Sequence, residues 1–275
     1  MERKVAIQGI KGSYHHQVAK AYFGESIAVE ECLSFDRQVD SLVSKESSDA
    51  VMAIENSIAG SIIPNYARID KNQLHIVGEH YLSIHHNLMA LPGQSIADIK
   101  EVCSHPMALL QCKEFFRKYP HIKLVEDADT AEVARRISEH QLAGVGAIAS
   151  SIAARMYNVE ILAESIQTIK NNATRFVLLH TQNSLLPKEE VNKASLRFTT
   201  DHKRGSLATV LNVMSDCRLN LTKIQSLPVI ETPWVYFFFV DVTFNNYEDF
   251  AKAKSLLEIM TGDFKVLGEY KNAKP

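Results

Sequence analysis

From Lys4 to about Gln167, short apolar runs of strand length alternate with segments of helical period, and this alternation restricts the chain to an α/β layer architecture. The strand candidates are KVAIQG, IAVEECL, DAVMAIEN, HIVGEHYLSIHHNLMAL, EVCSH, IKLVEDA and VGAIAS; helices are expected to begin near Ser13, Phe35, Ser61, Pro106, Thr130 and Ser151. Their order predicts parallel sheets with helices on both faces. The run from His75 to Leu91 is longer than the ~5 to 6 residues of an average strand. It stands midway between two similar halves, so it is read as a crossing between two lobes. VEILAESIQ and TRFVLLHT would then return the chain to the first lobe, leaving a hinge and a cleft.

The pattern changes after QNSLLPKEEVNK, residues 182–193, which is polar, contains Pro187 and lacks apolar periodicity; it reads as a linker. Beyond it, SLRFTT, GSLATVLNVMSDC, LTKIQSLPVI, VYFFFVDVTF, YEDFAKAKSLLEIM and FKVLGEY give the order βαββαβ. That order describes a ferredoxin-like fold of ~80 residues. The expected organisation is therefore a first domain at 1–182, with lobe one at about 1–78 and 166–182 and lobe two at about 79–165, followed by a second domain at 193–272.

Charge excludes one class of function. Thirty basic and 32 acidic residues, a net charge of -2 and no long single-sign run leave no electrostatic footprint for nucleic acid. The N-terminal MERKVAIQGIKGSYHH has neither the apolar stretch nor the cleavage site of a secretory signal, and no window reaches the ~20 apolar residues that span a bilayer. A soluble, cytoplasmic protein without membrane partners is expected. Cys32, Cys103, Cys112 and Cys217 form no CxxC pair, so neither structural zinc nor a disulfide framework is suggested. The adjacent pairs His15/His16 and His85/His86 are poor chelators, because neighbours on a strand face opposite ways. No metal site is expected.

Four segments could carry chemistry. In GIKGSYHH a strand ends at Gly9 and a helix begins near Ser13, so free amides there could hold a carboxylate, or Ser13 could simply cap a turn. In AIENSIAGSI a strand ends in Glu55, Asn56 and Ser57 and is followed by Gly60, at the strand end where open α/β sheets bind ligands. Asn and Ser also make ordinary turns. In CSHPMALLQC, Pro106 suits the first helical position with Ser104 or His105 as cap, and Gln111 either turns its amide back to that end or is a solvated helix residue. In NNATRFVLL, Thr174 and Arg175 stand at the mouth of a strand that starts at Phe176; Arg175 could grip a carboxylate and Thr174 could share a proton, or both could be strand edge. Together the four describe a pocket for a small dianion. No nucleophile with an obvious base, glycosidase carboxylate pair or nucleotide loop is present.

In order, GIKGSY, IENSIAG, SHPMALLQC and NNATRF, followed by GSLATVL, IQSLP and PWVYFFFVD, resemble prephenate dehydratase along almost the whole chain. The C-terminal segment resembles an ACT domain. The resemblance implies a two-lobed catalytic domain, similar in shape to periplasmic ligand-binding proteins, with prephenate in the cleft and no cofactor. It implies Thr174, from the TRF motif, as principal catalytic residue, with Arg175, Asn56, Ser57 and Gln111 assisting. Ser13, Tyr14, Glu55, Gly60, Ser104, His105 and Phe176 are implied as substrate-binding. The reaction expels carbon dioxide and hydroxide while the ring becomes aromatic, so orientation and stabilisation of the departing hydroxide are the main requirements.

The ACT resemblance implies feedback by phenylalanine, bound by Gly205, Ser206, Leu207, Leu211, Asn220, Leu221, Gln225 and Ser226, and a homodimer or homotetramer. Four departures from the family pattern stand out, the first bearing on the effector and the others on the cleft. Gln225, Ser226, Leu227 and Pro228 stand where ESRP is usual, which replaces a Glu and an Arg by an amide and an aliphatic chain. His15 stands where Ser is common and Met107 where Gln often follows SHP. Gln167 and Thr168 occupy the place of a usual Asp. Arogenate dehydratase is the alternative enzyme, and a non-catalytic amino-acid sensor is the alternative of another class.

Overall fold

The computed structural model describes residues 3–183, 186–229 and 232–274. Along the chain run β1 (Lys4–Gln8), α1 (Tyr14–Phe23), β2 (Ala28–Cys32), α2 (Phe35–Val43), β3 (Asp49–Asn56), β4 (Gly60–Ser61), α3 (Ile63–Lys71), β5 (His75–Ser83) and β6 (Asn87–Ala90). There follow β7 (Glu101–Ser104), α4 (Pro106–Gln111), α5 (Lys113–Phe116), β8 (Lys123–Glu126), α6 (Thr130–Glu139), β9 (Val145–Ala149), α7 (Ser151–Met156), β10 (Glu160–Ala163) and β11 (Ala173–His180). The last elements are β12 (Lys193–Thr199), α8 (Ser206–Asp216), β13 (Asn220–Pro228), β14 (Tyr236–Thr243), α9 (Tyr247–Met260) and β15 (Gly262–Tyr270). Ser184 and Leu185 of the expected linker, and Ile230 at the end of the expected strand 221–230, lie outside the described residues.

By contact the chain forms two units, Met1–Gly60 with Tyr81–Phe176, and Ser61–His80 with Val177–Pro275. The first unit holds two sheets. In one, β1 lies between β2 and β3, parallel to both, and β11 follows β3 in the order. Val5, Ala6 and Ile7 are fully buried, as a central parallel strand covered on both faces must be. The second sheet has the order β10-β6-β9-β7-β8. Here the expectation of parallel sheets needs correction: β7 is parallel to β8 and β9, but β6 is antiparallel to both β9 and β10. Strands β8, β9 and β10 each follow a helical crossover, which fixes their direction. The chain reaches β6 straight from β5 through residues 84–86, with no helix between them, so no βαβ unit constrains it.

The helix starts have local causes. Ser13, Ser34 and Ser150 each accept a backbone amide at the start of α1, α2 and α7, and Asp129 accepts two at the start of α6. At α4, His105 is the capping residue and Pro106 sits in the first turn.

In the second unit, β13-β14-β12-β15 form an antiparallel sheet in ferredoxin-like order. Strand β12 shows why it is buried on both faces. Ala194, Leu196 and Phe198 enter an apolar cluster with Val210 and Met214 of α8 and Phe250 and Leu257 of α9. The alternate residues Lys193, Ser195 and Arg197 are equally buried but paired. Lys193 Nζ reaches both oxygens of Glu79 at 2.9 and 2.8 Å. Ser195 lies 2.5 Å from Asp241 and 2.6 Å from the Tyr270 hydroxyl. Arg197 meets Asp263 and, at 3.2 Å, Asp70. Glu79 and Asp70 come from β5 and α3, so residues 61–80 cover this face of the sheet. Contact is closest at Gly268, where any Cβ would stand 2.1 Å from the Ile76 carbonyl oxygen.

Candidate active site

The first unit brings the ends of β3 and β11 together. The Ser57 amide donates to the Ala173 carbonyl at 2.8 Å, and the Ala173 amide donates to Ser57 Oγ at 3.0 Å. This reciprocal pair places Asn56 beside Thr174. Asn56 Oδ1 accepts from the Ile58 and Ala59 amides at 3.0 and 2.9 Å, which closes an Asx turn and leaves Nδ2 pointing across the strands. That nitrogen donates to Thr174 Oγ1 at 2.9 Å and to Asn172 Oδ1 at 2.7 Å.

From Asn172 the bonding continues. Asn172 Nδ2 donates to Gln111 Oε1 at 2.9 Å, and His86 Nε2 lies 2.9 Å from the same oxygen. His86 Nδ1 is 3.0 Å from the hydroxyl of Tyr14, whose one proton also has the His85 carbonyl within reach at 2.8 Å. Six side chains from five separate stretches of sequence thus form one connected line. Burial holds His86 neutral, with its pKa lowered to about 4 although the Gln111 contact opposes this, and burial pushes the Tyr14 hydroxyl well above its usual range. Two donors remain unused among the described residues: no acceptor takes the Thr174 proton, and Gln111 Nε2 has no partner. A hydroxyl whose acceptor role is already filled and a half-buried amide are suited to an oxygen-rich ligand.

The remaining candidate residues take other positions. Arg175 is buried on the strand position next to Thr174, so alternation of β11 turns it to the opposite face, while Phe176 shares the Thr174 face and packs edge-on to His15 with centroids 5.0 Å apart. The donor beside Thr174 is Asn56 rather than Arg175. Ser13 is buried and its hydroxyl accepts from the His16 amide, and the Gly12 amide is taken by His16 Nδ1. Ser104 is fully buried and donates to the Ile148 carbonyl at 2.7 Å. His105 is exposed and accepts the Met107 amide. Glu55 is half-buried, and Ser57 and Gly60 are exposed, with Gly60 at φ +82°. Asn172 and His86 join the line without a role read for them in the sequence: the first stands in the NNATRF motif, and the pairing of His85 with His86 argues only against a metal.

In the second unit the effector candidates divide. Gly205 has φ +84° and caps α8 without a side chain, followed by Ser206 and Leu207; Leu211 packs on the core one turn later. Register puts Gln225 and Ser226 opposite Phe239 and Phe238, towards the end of the sheet where β12 finishes and the chain enters α8. Asn220 and Leu221 stand opposite Thr243 and Val242, at the far end.

A family model described as prephenate dehydratase matches residues 5–184. The chain belongs to the prephenate dehydratase family. Relatives of this family include "Arogenate dehydratase/prephenate dehydratase 2, chloroplastic" of Arabidopsis thaliana, 34% identical, with 97% of this chain and 72% of that protein covered. The solved prephenate dehydratase of Arthrobacter aurescens in complex with L-Phe is 24% identical with TM-score 0.89, covering 98% of this chain and 90% of that one; it shares the fold. A solved structure of GqqA, described as a novel type of quorum quenching acylase, is 26% identical with TM-score 0.88 and covers 98% of both chains. The chain has an α/β fold with a ferredoxin-like C-terminal module, and its family acts as lyases by decarboxylative dehydration. Among the described residues, no group of three or more His, Cys, Asp or Glu side chains could hold a metal ion, and no helix is long and apolar enough to cross a membrane.

Proposed function

We propose that the chain converts prephenate to phenylpyruvate with Thr174 as the group that meets the departing hydroxyl. The bond from the ring to its carboxylate breaks and releases carbon dioxide, its electron pair enters the ring, and the opposite carbon–oxygen bond breaks. The observation carrying this reading is that Asn56 Nδ2 donates to Thr174 Oγ1, which directs the threonine proton outward to the leaving oxygen. A threonine hydroxyl is too weak an acid to give up its proton unaided, so it acts as a hydrogen-bond donor to developing hydroxide, with Asn56 polarising it. Gln111 Nε2 positions a substrate oxygen. Of the two candidate carboxylate anchors, Arg175 and the start of α1, the second is favoured because β11 turns Arg175 to the face opposite Thr174; Arg175→Lys should then leave KM nearly unchanged, and a large rise in KM would restore Arg175 as the anchor. Mixing purified protein with prephenate and following phenylpyruvate tests the activity; absence of product overturns it.

Arogenate differs by an amine in place of the keto group, and the name of the Arabidopsis relative carries both activities. Parallel assays separate the two substrates. The acylase name attached to GqqA is not supported here, because Thr174 is bonded to an amide and not to a base.

Residues 193–272 are read as an ACT-type module that binds phenylalanine, with the Arthrobacter complex as precedent in fold. In one chain the candidate effector residues lie at opposite ends of β13, an edge strand with Ile224 exposed. Antiparallel pairing of β13 with a second copy would bring Asn220 of one chain beside Gln225 and Gly205 of the other. Such an edge supports reading the chain as a homodimer or homotetramer. Calorimetry with phenylalanine and light scattering test binding and assembly together. A cytoplasmic setting suits the four buried, unpaired cysteines.

A further inference from the structure

The described side chains at the site include one ring whose two nitrogens have fixed and different duties. His86 Nε2 faces Gln111 Oε1 at 2.9 Å and His86 Nδ1 faces the Tyr14 hydroxyl at 3.0 Å. An amide oxygen cannot donate, so Nε2 must carry the hydrogen and Nδ1 must accept from Tyr14. Gln111 Oε1 is then committed to two donors, His86 and Asn172, and its NH2 group is turned away from both. Asn172 in turn must present its oxygen to Asn56, and Asn56 must present its nitrogen to Thr174. Donor direction in the line is fixed from both ends, by the Asx turn at Asn56 and by the tautomer of the His86 imidazole.

We propose that His86 is the positioning residue of the site: as the Nε2–H tautomer it fixes the orientation of the Gln111 amide, so that two N–H donors face the substrate. It does not touch the reacting atoms. The physical reason is that a primary amide can rotate by 180° at little steric cost, exchanging two donors for an acceptor. The Asx turn at Asn56 already fixes Asn172 as a donor to Gln111 Oε1, and the imidazole sets a second donor on the same oxygen: with Nδ1 accepting from Tyr14 it has only a donor to offer, so a reversed Gln111 would face two donors with its NH2 group. The single Tyr14 proton goes to Nδ1, which leaves the His85 carbonyl to the Asn87 side-chain amide at 3.4 Å, and Gln167 takes the His86 amide at 3.0 Å and donates to the Ile84 carbonyl at 3.2 Å. These bonds hold the turn between β5 and β6 so that the ring cannot swing away. A reversed Gln111 would aim its oxygen at an anionic substrate, which repels rather than binds it.

The inference rests on the reading of this site given above, and two measurements keep the fates of the two apart. The first is independent of turnover: nitrogen NMR of the ring-labelled protein should show His86 as the neutral Nε2–H form. The Nδ1–H tautomer, or a charged ring at neutral pH, overturns the proposal whatever the protein catalyses. The second is a kinetic cycle with prephenate. His86→Leu should lower kcat/KM by about tenfold or more, chiefly through KM. His86→Gln, whose amide can both donate to Gln111 and accept from Tyr14, should stay within about threefold of the parent. In a Gln111→Leu background His86→Leu should have almost no further effect, since the orientation it sets no longer exists. Equal losses in His86→Gln and His86→Leu, or additive losses with Gln111→Leu, mean that His86 only supports the fold and overturn the proposal. A parent enzyme silent towards prephenate sinks the functional reading instead, and the tautomer measurement still decides this one.

Discussion

Thr174 and its neighbours set the first test. Thr174→Ala should reduce kcat by roughly 10²- to 10³-fold, the size of one lost donor to a developing oxyanion. KM should move little, and Thr174→Ser should keep most of the rate; steady-state kinetics on the two variants measures the split. Backbone geometry makes a second residue indispensable for another reason. Gly9 has φ +88°, and a Cβ there would stand 2.4 Å from Asp129 Oδ2. Gly9→Ala should lower the melting temperature, because both the conformation and the space exclude a side chain. The buried histidines predict an acid response. His15, buried beside Phe35 and Phe176, has its pKa lowered to about 3, and His86 to about 4, both chiefly by burial. The unfolded chain protonates these rings near about 6.5. Their contribution to stability is therefore intact above that pH and is lost as pH falls from there towards 4, where only the unfolded state takes up protons. Replacing His15 by Gln should flatten the stability-versus-pH slope in that window by up to one proton, about 1.4 kcal/mol per pH unit. Thermal or urea unfolding at a series of pH values reads it, and an unchanged slope contradicts the assignment.

At the level of elements, helix starts and helix caps were the most legible features, because a cap is a contact between near neighbours in sequence. Ser13, Phe35, Pro106, Thr130 and Ser151 mark starts that the structure places at or within one residue, while the helix expected near Ser61 begins at Ile63. Strand direction was not legible. Nothing in HHNLMAL states that β6 runs against β9, since direction is set by which connection precedes a strand and not by its side chains. One cap also serves the site. Ser150 accepts the Ala153 amide at 3.2 Å and donates to the Gly12 carbonyl at 2.8 Å, tying the start of α7 to the turn that leads into Ser13 and Tyr14. Ser150→Ala should cost about 1–2 kcal/mol of stability by loss of the cap and the buried bond. It should also reduce kcat/KM, because Tyr14 loses a support. Denaturant unfolding and initial rates on one preparation compare the two effects.

For the molecule as a whole, the second unit depends on a buried charge pair formed by residues 114 positions apart in sequence. Lys193 and Glu79 have side chains 2% and 0% exposed, and the Ala273 amide also donates to Glu79 Oε1 at 3.0 Å. Removing one partner alone, as in Glu79→Leu, should cost about 3–5 kcal/mol, whereas Glu79→Leu with Lys193→Met should recover much of the loss. Urea midpoints of the single and double variants test this; equal midpoints would show that the pair contributes nothing. Fold class, the βαββαβ module and the family are legible in periodicity, capping and motifs, which are local and survive without coordinates, and the same motifs hold Tyr14, Asn56, Gln111 and Thr174. Only tertiary structure decided that Asn172 and His86 join them, that Arg175 faces away from Thr174, and that Lys193 meets Glu79. Those facts depend on which strand ends meet and which face each residue takes, and hydrogen-bond direction passes through space between segments that the chain keeps far apart.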